Sequence, residues 1–271
     1  MTLILMASPK GGVGKTTLCA GVADALVRSG RHVIALDLDP QNGLRLHFGV
    51  PITDQAGFMR ALPAAGDWRS KIRPTASGVQ LLPHGATDLR QALALHASID
   101  RAPEMLAGPV RDMLSEHGAI VLADLPPGAS AVLAALVPVA SILVAVLLAD
   151  PASTALLPDI ESGQFHGSGT LSTLTGPRVV VALNQVDPNS RLSRSTAEAV
   201  ARYLGPRLIG AVCRDDAVAE SLAHQRPLLA HAPDSMPAHD LRGLAAAIGA
   251  LLPNLAPPTA AAPPPPLWGR G

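Results

Sequence analysis

The feature that most constrains the fold is a run of glycine, lysine and threonine, KGGVGKTT, at residues 10–17. It follows the apolar residues 2–7, which have the pattern of a buried strand. It leads into residues 15–29, whose apolar side chains recur at helical spacing before Gly30. A glycine-rich turn between a strand and a helix N-terminus surrounds phosphate groups with backbone N–H groups. The run therefore predicts an α/β protein that binds a phosphate-bearing ligand.

The remaining apolar pattern predicts a single P-loop domain with a mostly parallel sheet flanked by helices on both faces. Buried strands are predicted at 2–7, 32–38, 119–123, 142–148 and 178–183, with shorter strands at 79–82 and 208–212. Helices are predicted at 15–29, 191–204, 216–225 and 238–252, whereas 51–78 and 84–117 lack clean periodicity and are predicted as loops and helices. The domain is predicted to span 1–252, and the proline-rich residues 253–271 to form a disordered tail.

One uncharged segment, residues 131–149, is long enough to be a transmembrane helix. Pro138 and Ser141 divide it into an alanine-rich helix and a β-branched strand, and a buried parallel strand is also a continuous apolar run. The N-terminal apolar run is too short for a signal peptide. No transmembrane or signal segment is predicted, and we expect a cytoplasmic protein.

The composition gives no support for binding of nucleic acid or for a cysteine-bound metal. Lys and Arg total 21, Asp and Glu total 21, and the pI is near 7.1. Binding of nucleic acid through its phosphates needs a basic face, and the overall balance gives no support for one. Cys19 and Cys213 occur without metal-ligand spacing and are predicted to be reduced thiols.

The loop residues suggest individual roles. Lys15 is placed to span the β- and γ-phosphates of a nucleotide, and the Thr16 hydroxyl to bind Mg²⁺. Pro9 occupies the place where the standard Walker A motif has its first glycine, so the run fits the deviant form KGGxGK[ST]T instead. The glycines allow the backbone to turn around the phosphate where a Cβ would collide.

Carboxylates follow two of the predicted strands. Asp37 and Asp39 alternate along the end of the second strand and so point the same way. Asp124 begins the segment DLPPG after the third strand. Side chains at the carboxyl ends of parallel strands lie in the crevice where ligands bind. These three carboxylates are therefore candidates for the chemistry beside the phosphates.

Together these motifs resemble the ParA/MinD family of ATPases, over nearly the whole chain to about Leu252. The resemblance implies Mg²⁺-dependent ATP hydrolysis, slow and regulatory, with Asp39 orienting the attacking water and Asp37 and Asp124 supporting Mg²⁺ together with Thr16. It also implies that Lys10 reaches the phosphates of a partner in a homodimer that sandwiches ATP. The resemblance implies that the nucleotide is bound by the loop residues Lys10, Gly11, Gly12, Val13, Gly14, Lys15, Thr16 and Thr17. The implied catalytic residues are Asp39, Lys10 and Lys15. The implied metal-binding residues are Thr16, Asp37, Asp39 and Asp124.

The same resemblance indicates where the base binds. Asn184 ends the fifth strand, where the family has an Asn that contacts adenine. Gln185 stands where GTPases have Lys, which favours ATP over GTP. Arg214 and Asp215 follow the last strand at the family's other base-binding segment, but Cys213 replaces the Pro of that segment and leaves the contacts open.

Two further segments, LRLHFG at 44–49 and the region 232–240, are similar to the ParA-like ATPases of bacterial cellulose-synthase operons, the BcsQ/YhjQ type. This similarity implies a cytosolic ATPase that associates with subunits of the cellulose synthase complex at the inner membrane and assists secretion. Three other functions are alternatives. A DNA-partition ParA needs a basic surface, and a MinD-like membrane oscillator needs a C-terminal basic amphipathic helix, whereas residues 238–252 have one Arg. A small-molecule synthetase on the same fold stays open, but an iron–sulfur reductase needs clustered cysteines, which Cys19 and Cys213 do not provide.

Overall fold

The computed structural model describes residues 2–62, 67–116, 118–163, 165 and 178–252. The proposed disordered tail, 253–271, lies outside the described residues. The described chain is an α/β sandwich in which one sheet is covered by helices on both faces, as the alternating strand and helix pattern predicts.

The sheet has eight strands in the order β3-β4-β2-β5-β1-β6-β7-β8, and every neighbouring pair is parallel except β3 and β4. The strands are β1 (Thr2–Ala7), β2 (His32–Asp37), β3 (Arg73–Pro74), β4 (Gln80–Leu82), β5 (Ala119–Asp124), β6 (Ile142–Leu148), β7 (Arg178–Val186) and β8 (Leu208–Cys213). Because β1 lies between β5 and β6, the phosphate loop that follows β1 emerges at the middle of the sheet.

Eleven α-helices are found in the described residues. They are α1 (Lys15–Arg28), α2 (Phe58–Ala61), α3 (Leu89–Arg101), α4 (Glu104–Ser115), α5 (Ala131–Leu136), α6 (Pro151–Thr154), α7 (Leu157–Glu161), α8 (Arg191–Leu204), α9 (Asp216–Ala223), α10 (Leu228–His231) and α11 (Met236–Leu251). Short 3-10 turns at Leu44–Phe48, Trp68–Lys71, Val137–Val139 and Gly205–Arg207 complete the connections.

The core is aliphatic and lies on both faces of the sheet. Alternate residues of β1 point to opposite faces, so that Leu3 and Leu5 join one buried cluster while Ile4 and Met6 join the other. Helix α1 covers the second face together with α11. With aromatic residues at only 2% of the chain, branched aliphatic side chains supply the buried area.

The predicted strands are confirmed, with small changes at their ends. Strand β7 continues to Val186, three residues beyond its predicted end. Residues 131–149 form α5, a 3-10 turn and the buried strand β6, as the positions of Pro138 and Ser141 predict. No helix in the described ranges is long and apolar enough to cross a bilayer.

The segments without clean periodicity contain well-formed elements. Helix α3 begins with a capping box in which Asp88 and Gln91 satisfy each other's backbone N–H groups. Its Leu89 and Leu93 are exposed, and this obscures the helical apolar pattern in the sequence. Helix α4 contains Pro109, a residue that normally signals a helix end. Strand β3 has two residues and is too short to be detected from sequence.

Close packing of α1 on α11 leads to the first prediction. A Cβ placed on Gly21 meets Leu241 Cδ1 at 2.4 Å, and Leu241 is buried, whereas a Cβ on Gly243 meets nothing within 4 Å. Overpacking costs about 1–3 kcal/mol, more than the ~1 kcal/mol that Ala gains over Gly in a helix. We expect Gly21→Ala to lower the free energy of unfolding by up to about 2 kcal/mol in urea titrations. The matched variant Gly243→Ala should be neutral or stabilising, and a Gly21→Ala variant as stable as Gly243→Ala would contradict this packing.

Candidate functional site

Glycine residues allow the backbone conformation of the phosphate loop. Gly12 and Gly14 have φ angles of 77° and 78°, in the left-handed region that favours glycine. Helix α1 starts after Gly14 without a side-chain cap, and its first intrahelical hydrogen bond runs from Leu18 N–H to Gly14 C=O. The N–H groups of the first turn therefore point out of the helix end and attract an anion.

Lys15, Thr16 and Asp124 meet at this loop. Lys15 Nζ lies 2.5 Å from Asp124 Oδ1, and Thr16 Oγ1 donates a 2.7 Å hydrogen bond to Asp124 Oδ2. Both Lys15 and Asp124 are buried. The contact joins β5 to the helix that follows β1, and the loop lysine has an ionic partner in its own chain.

A second carboxylate lies beside Asp124. The register of β2 with β5 pairs Asp37 with Asp124 at the carboxyl end of both strands, and both side chains are fully buried. Burial, reinforced by the charge of Asp124, raises the pKa of Asp37. Burial also raises the pKa of Asp124, while Lys15 and Thr16 oppose that shift. Two buried carboxylates that repel each other beside a hydroxyl favour a divalent cation.

Asp37 also shapes the segment that follows β2. Its carboxylate accepts hydrogen bonds from Asp39 N–H at 3.1 Å and from Leu44 N–H at 3.0 Å. Asp39 in turn accepts from Gln41 N–H at 2.9 Å, which closes a tight turn. The predicted water-orienting carboxylate is therefore fixed by a turn at the sheet edge that carries Asp37 and Asp124.

The three carboxylates predicted to act on the metal do not form a direct ligand cluster. Within the described ranges, no three His, Cys, Asp or Glu side chains are grouped so as to hold a metal ion together. The metal set of Thr16, Asp37, Asp39 and Asp124 stays a prediction.

Lys10 has a partner that the sequence did not reveal. Its Nζ lies 3.4 Å from Asp150 Oδ2, and both side chains are partly exposed. Asp150 follows β6 and caps α6 by accepting Ser153 N–H at 2.6 Å. The dipeptide Asp150-Pro151 after a buried strand was the available signal, since this pair is typical of a helix start.

Asn184 lies against the phosphate loop. Its Nδ2 donates a 2.8 Å hydrogen bond to Val13 C=O, and the side chain is buried. A Cβ on Gly14 would come within 2.3 Å of the same Nδ2 atom. Gln185 has a φ of 53°, and the register of β7 with β8 is irregular at this point. Asn184 thus positions the loop, whatever its contact with a base.

The other two residues of the predicted base-binding segment have less distinctive surroundings. Asp215 caps α9 by accepting Ala217 N–H at 2.8 Å, and Arg214 is exposed, with its backbone N–H bonded to Val186 C=O at 2.9 Å. Arg214 and Asp215 lie at the end of β8, beside the end of β7 that carries Asn184. Their contacts with a base stay a prediction.

His84 is a buried residue near the site that sequence reasoning missed. It follows β4, whose Leu82 pairs with Leu36 of β2, so it lies beside the segment that carries Asp39. Its Nδ1 is 2.8 Å from Gly85 C=O, and its Nε2 has no hydrogen-bond partner among the described residues. Burial lowers the pKa of His84, and the charge of Asp39 opposes this shift. A histidine after the short strand 79–82 was the only sequence signal.

Comparison with known proteins places the chain among cellulose biosynthesis proteins. The family model described as "Cellulose biosynthesis protein BcsQ" matches residues 1–248. BcsQ of Salmonella typhimurium is 26% identical over 245 residues, which cover 90% of this chain and 93% of that protein. The chromosome-partitioning ATPase Soj of Thermus thermophilus is 30% identical over 253 residues, which cover 89% and 93% of the two chains. These matches confirm the predicted resemblance.

The fold is shared with solved structures of MinD. The septum site-determining protein MinD of Pyrococcus horikoshii, complexed with Mg-ADP, matches with a TM-score of 0.74 at 21% identity, covering 93% of this chain and 99% of that one. A ParA family ATPase of Chlorobium tepidum matches with a TM-score of 0.68 at 19% identity, covering 90% and 97%. At these identities the likeness confirms the predicted α/β fold.

The contribution of the Asn184–Val13 hydrogen bond to phosphate binding can be measured separately from any contact of Asn184 with a base. A buried hydrogen bond is worth about 1–2 kcal/mol, so we expect Asn184→Ala to weaken binding of both ATP and tripolyphosphate by roughly 5–30-fold in calorimetry. Tripolyphosphate has no base, and a residue that only contacts adenine would leave its affinity unchanged. Asn189→Ala, an exposed site on the following loop, is the matched control. Unchanged tripolyphosphate affinity in Asn184→Ala would contradict the positioning role.

Proposed function

Since this chain belongs to the BcsQ family of cellulose biosynthesis proteins, we propose that it is an ATP-dependent dimerising switch that assists a membrane-bound cellulose synthase complex. The observation that carries the proposal is the junction of Lys15, Thr16 and Asp124 at the end of a glycine loop. Lys15 provides a cation for phosphates and Thr16 a hydroxyl for a metal, and the Asp124 carboxylate contacts both side chains.

The residues present fit ATP and Mg²⁺. Lys15 and the first-turn N–H groups of α1 would hold the phosphates, and Thr16, Asp124 and Asp37 would hold Mg²⁺, the carboxylates through water. Bound Mg²⁺ neutralises the charge of the β- and γ-phosphates during phosphoryl transfer. The relative from Pyrococcus horikoshii, a MinD complexed with Mg-ADP, supports this fit. Asn184 followed by Gln185, rather than by Lys, favours adenine.

Hydrolysis in this proposal depends on Asp39. Its backbone is held by Asp37, and its own carboxylate closes the turn to Gln41. A carboxylate fixed in this way can accept a hydrogen bond from a water and orient it towards a phosphate. We propose slow hydrolysis that serves regulation.

Lys10 connects the site to dimerisation. Its ion pair with Asp150 is partly exposed, with side-chain exposures of 32% and 37%. Such pairs are worth about 0–1 kcal/mol, so Lys10 leaves Asp150 at little cost. We propose that in the dimer it moves to the phosphates of the partner. The resting pair keeps Lys10 near the loop without fixing it.

We propose that partner proteins recruit the chain to the synthase at the inner membrane, since the C-terminal helix α11 carries a single Arg, Arg242, and is not a basic amphipathic helix for direct lipid binding. The proposed cytoplasmic, peripheral location is supported by membership of the cellulose biosynthesis family.

A second candidate, DNA partition, is favoured by one observation. Arg191, Arg194 and Arg202 are exposed on α8, with Glu198 as the nearby acidic residue of that helix. The Soj relative is a chromosome-partitioning ATPase. Against this candidate, Arg207 is paired with Glu161 at 2.5 Å, and the chain has no net charge. A DNA-binding assay with a salt titration discriminates, because phosphate contacts weaken steeply with salt.

Dimerisation gives a direct test of the switch. We expect Asp39→Ala to bind Mg-ATP, hydrolyse it slowly and accumulate as a dimer, because the water loses its orienting carboxylate. Lys10→Ala should bind ATP and stay monomeric. Asp150→Asn keeps the α6 cap but removes the charge that holds Lys10, so it should favour the dimer by up to about fivefold. Light scattering with ATP measures all three, and a monomeric Asp39→Ala variant would contradict the switch.

The pathway is tested in cells. We expect deletion of the gene to reduce cellulose output and leave plasmid inheritance normal, and Lys15→Ala to fail to restore cellulose because it no longer binds ATP. Lys71→Ala, at a lysine remote from the loop in sequence, should restore it at equal protein level. Normal cellulose with plasmid loss would instead support the partition candidate.

A further inference from the structure

A cavity lies at the other end of α1 from the phosphate loop. Its volume is ≈ 500 Å³, and it opens between the last turn of α1 and the helix α11. Its apolar lining comes from Ala25, Leu26, Leu229 and Ala245. Because α1 runs back from the carboxyl edge of the sheet, this cavity is at the amino edge, away from every residue assigned to the nucleotide.

Three arginines also line the cavity: Arg28, Arg31 and Arg242. Arg28 Nε donates a 3.1 Å hydrogen bond to Asp24 Oδ1, and Asp24 is fully buried. Burial raises the pKa of Asp24, and the charges of Arg28 and Arg242 oppose that shift. Asp24 thus faces two guanidinium groups, those of Arg28 and Arg242, and its charge offsets one of these two positive charges.

The end of α1 explains only part of this charge. A helix C-terminus carries a partial negative charge that favours basic residues, which accounts for Arg28 and Arg31. The carbonyl groups of Ala25, Leu26 and Val27 already accept N–H groups from residues 29–31. Arg242 lies in the second turn of α11 and not in its last turn, so the helix dipole does not account for it.

We propose that this cavity binds a small organic anion, a phosphate or carboxylate joined to an apolar body. Ligand pockets of about 300–1,000 Å³ are mostly apolar with a few polar groups placed to fix orientation, which is the composition found here. Guanidinium groups bind carboxylate and phosphate through paired hydrogen bonds. The small residues Ala245, Ala246 and Gly249 leave room for the apolar part. The site is separate from the proposed nucleotide function and does not depend on it.

Octyl phosphate is a suitable probe because it combines the two parts of the ligand. We expect the full chain with ATP to bind octyl phosphate in calorimetry at least tenfold more tightly than inorganic phosphate or octyl glucoside. Arg242→Gln should weaken octyl phosphate at least tenfold while leaving ATP affinity unchanged. Equal binding of octyl phosphate and octyl glucoside would overturn the proposal.

Two glycines of α11 give a matched pair of variants. Gly249 lines the cavity and Gly243 does not, and a Cβ on either meets nothing within 4 Å. Gly249→Leu should therefore fold normally, occupy the cavity and abolish binding of octyl phosphate. Gly243→Leu should bind it like the parent protein. Octyl phosphate binding that survives in Gly249→Leu would overturn the site, even if ATP binding and dimerisation behave as proposed.

The anion could come from a soluble molecule or from a lipid headgroup. Sedimentation with phosphatidylglycerol vesicles, compared with phosphatidylcholine vesicles, distinguishes these sources. Vesicle binding that is lost in both Arg242→Gln and Gly249→Leu assigns the cavity to a headgroup. Octyl phosphate binding without vesicle binding assigns it to a soluble ligand.

Discussion

Lys15 and Asp124 are each removed from solvent, and neither is stable there as a charge without the other. Breaking such a pair by removing one partner costs about 3–5 kcal/mol, because the remaining charge is buried and uncompensated. The pair requires β1 and β5 to be neighbours, since Lys15 follows one strand and Asp124 ends the other. Three features agree with the requirement that β1 and β5 are neighbours. They are the order of the central strands, the position of the phosphate loop and the pairing of Asp37 with Asp124.

Much of the fold and of the phosphate site could be predicted because their signals are local. Buried parallel strands are continuous apolar runs, and the loop motif lies within eight residues of sequence. The contacts that could not be predicted join distant residues: Lys10 to Asp150 across 140 positions, and Asn184 to Val13 across 171. A local sequence pattern does not indicate contacts between residues so far apart in the chain. Helix α4 lies within 84–117, which were predicted as loops and helices, but its bounds could not be predicted for the opposite reason: Pro109 gives a local signal for a helix end, and packing against β5 overrides it.

The surroundings of Asp39 contain polar groups without protein partners. His84 Nε2 and both side-chain polar atoms of Asn42 are buried and unpaired within the described ranges. Asn42 also has a φ of 51°, which an L-residue adopts only under local constraint. Buried polar groups of this kind usually bind ordered water. The turn that carries Asp39 therefore borders buried polar groups as well as the core side chains Leu38 and Leu44, and these polar groups are available to bind ordered water.

Helix α1 carries the phosphate loop at its first residue and Arg28, beside the arginine-lined cavity, at its last. Its 14 residues span about 21 Å at 1.5 Å per residue. Gly21 holds it closely against Leu241 of α11 near its midpoint. If this helix rotated as a unit about the Gly21 contact, its two ends would move in opposite directions. One element thus spans both edges of the sheet.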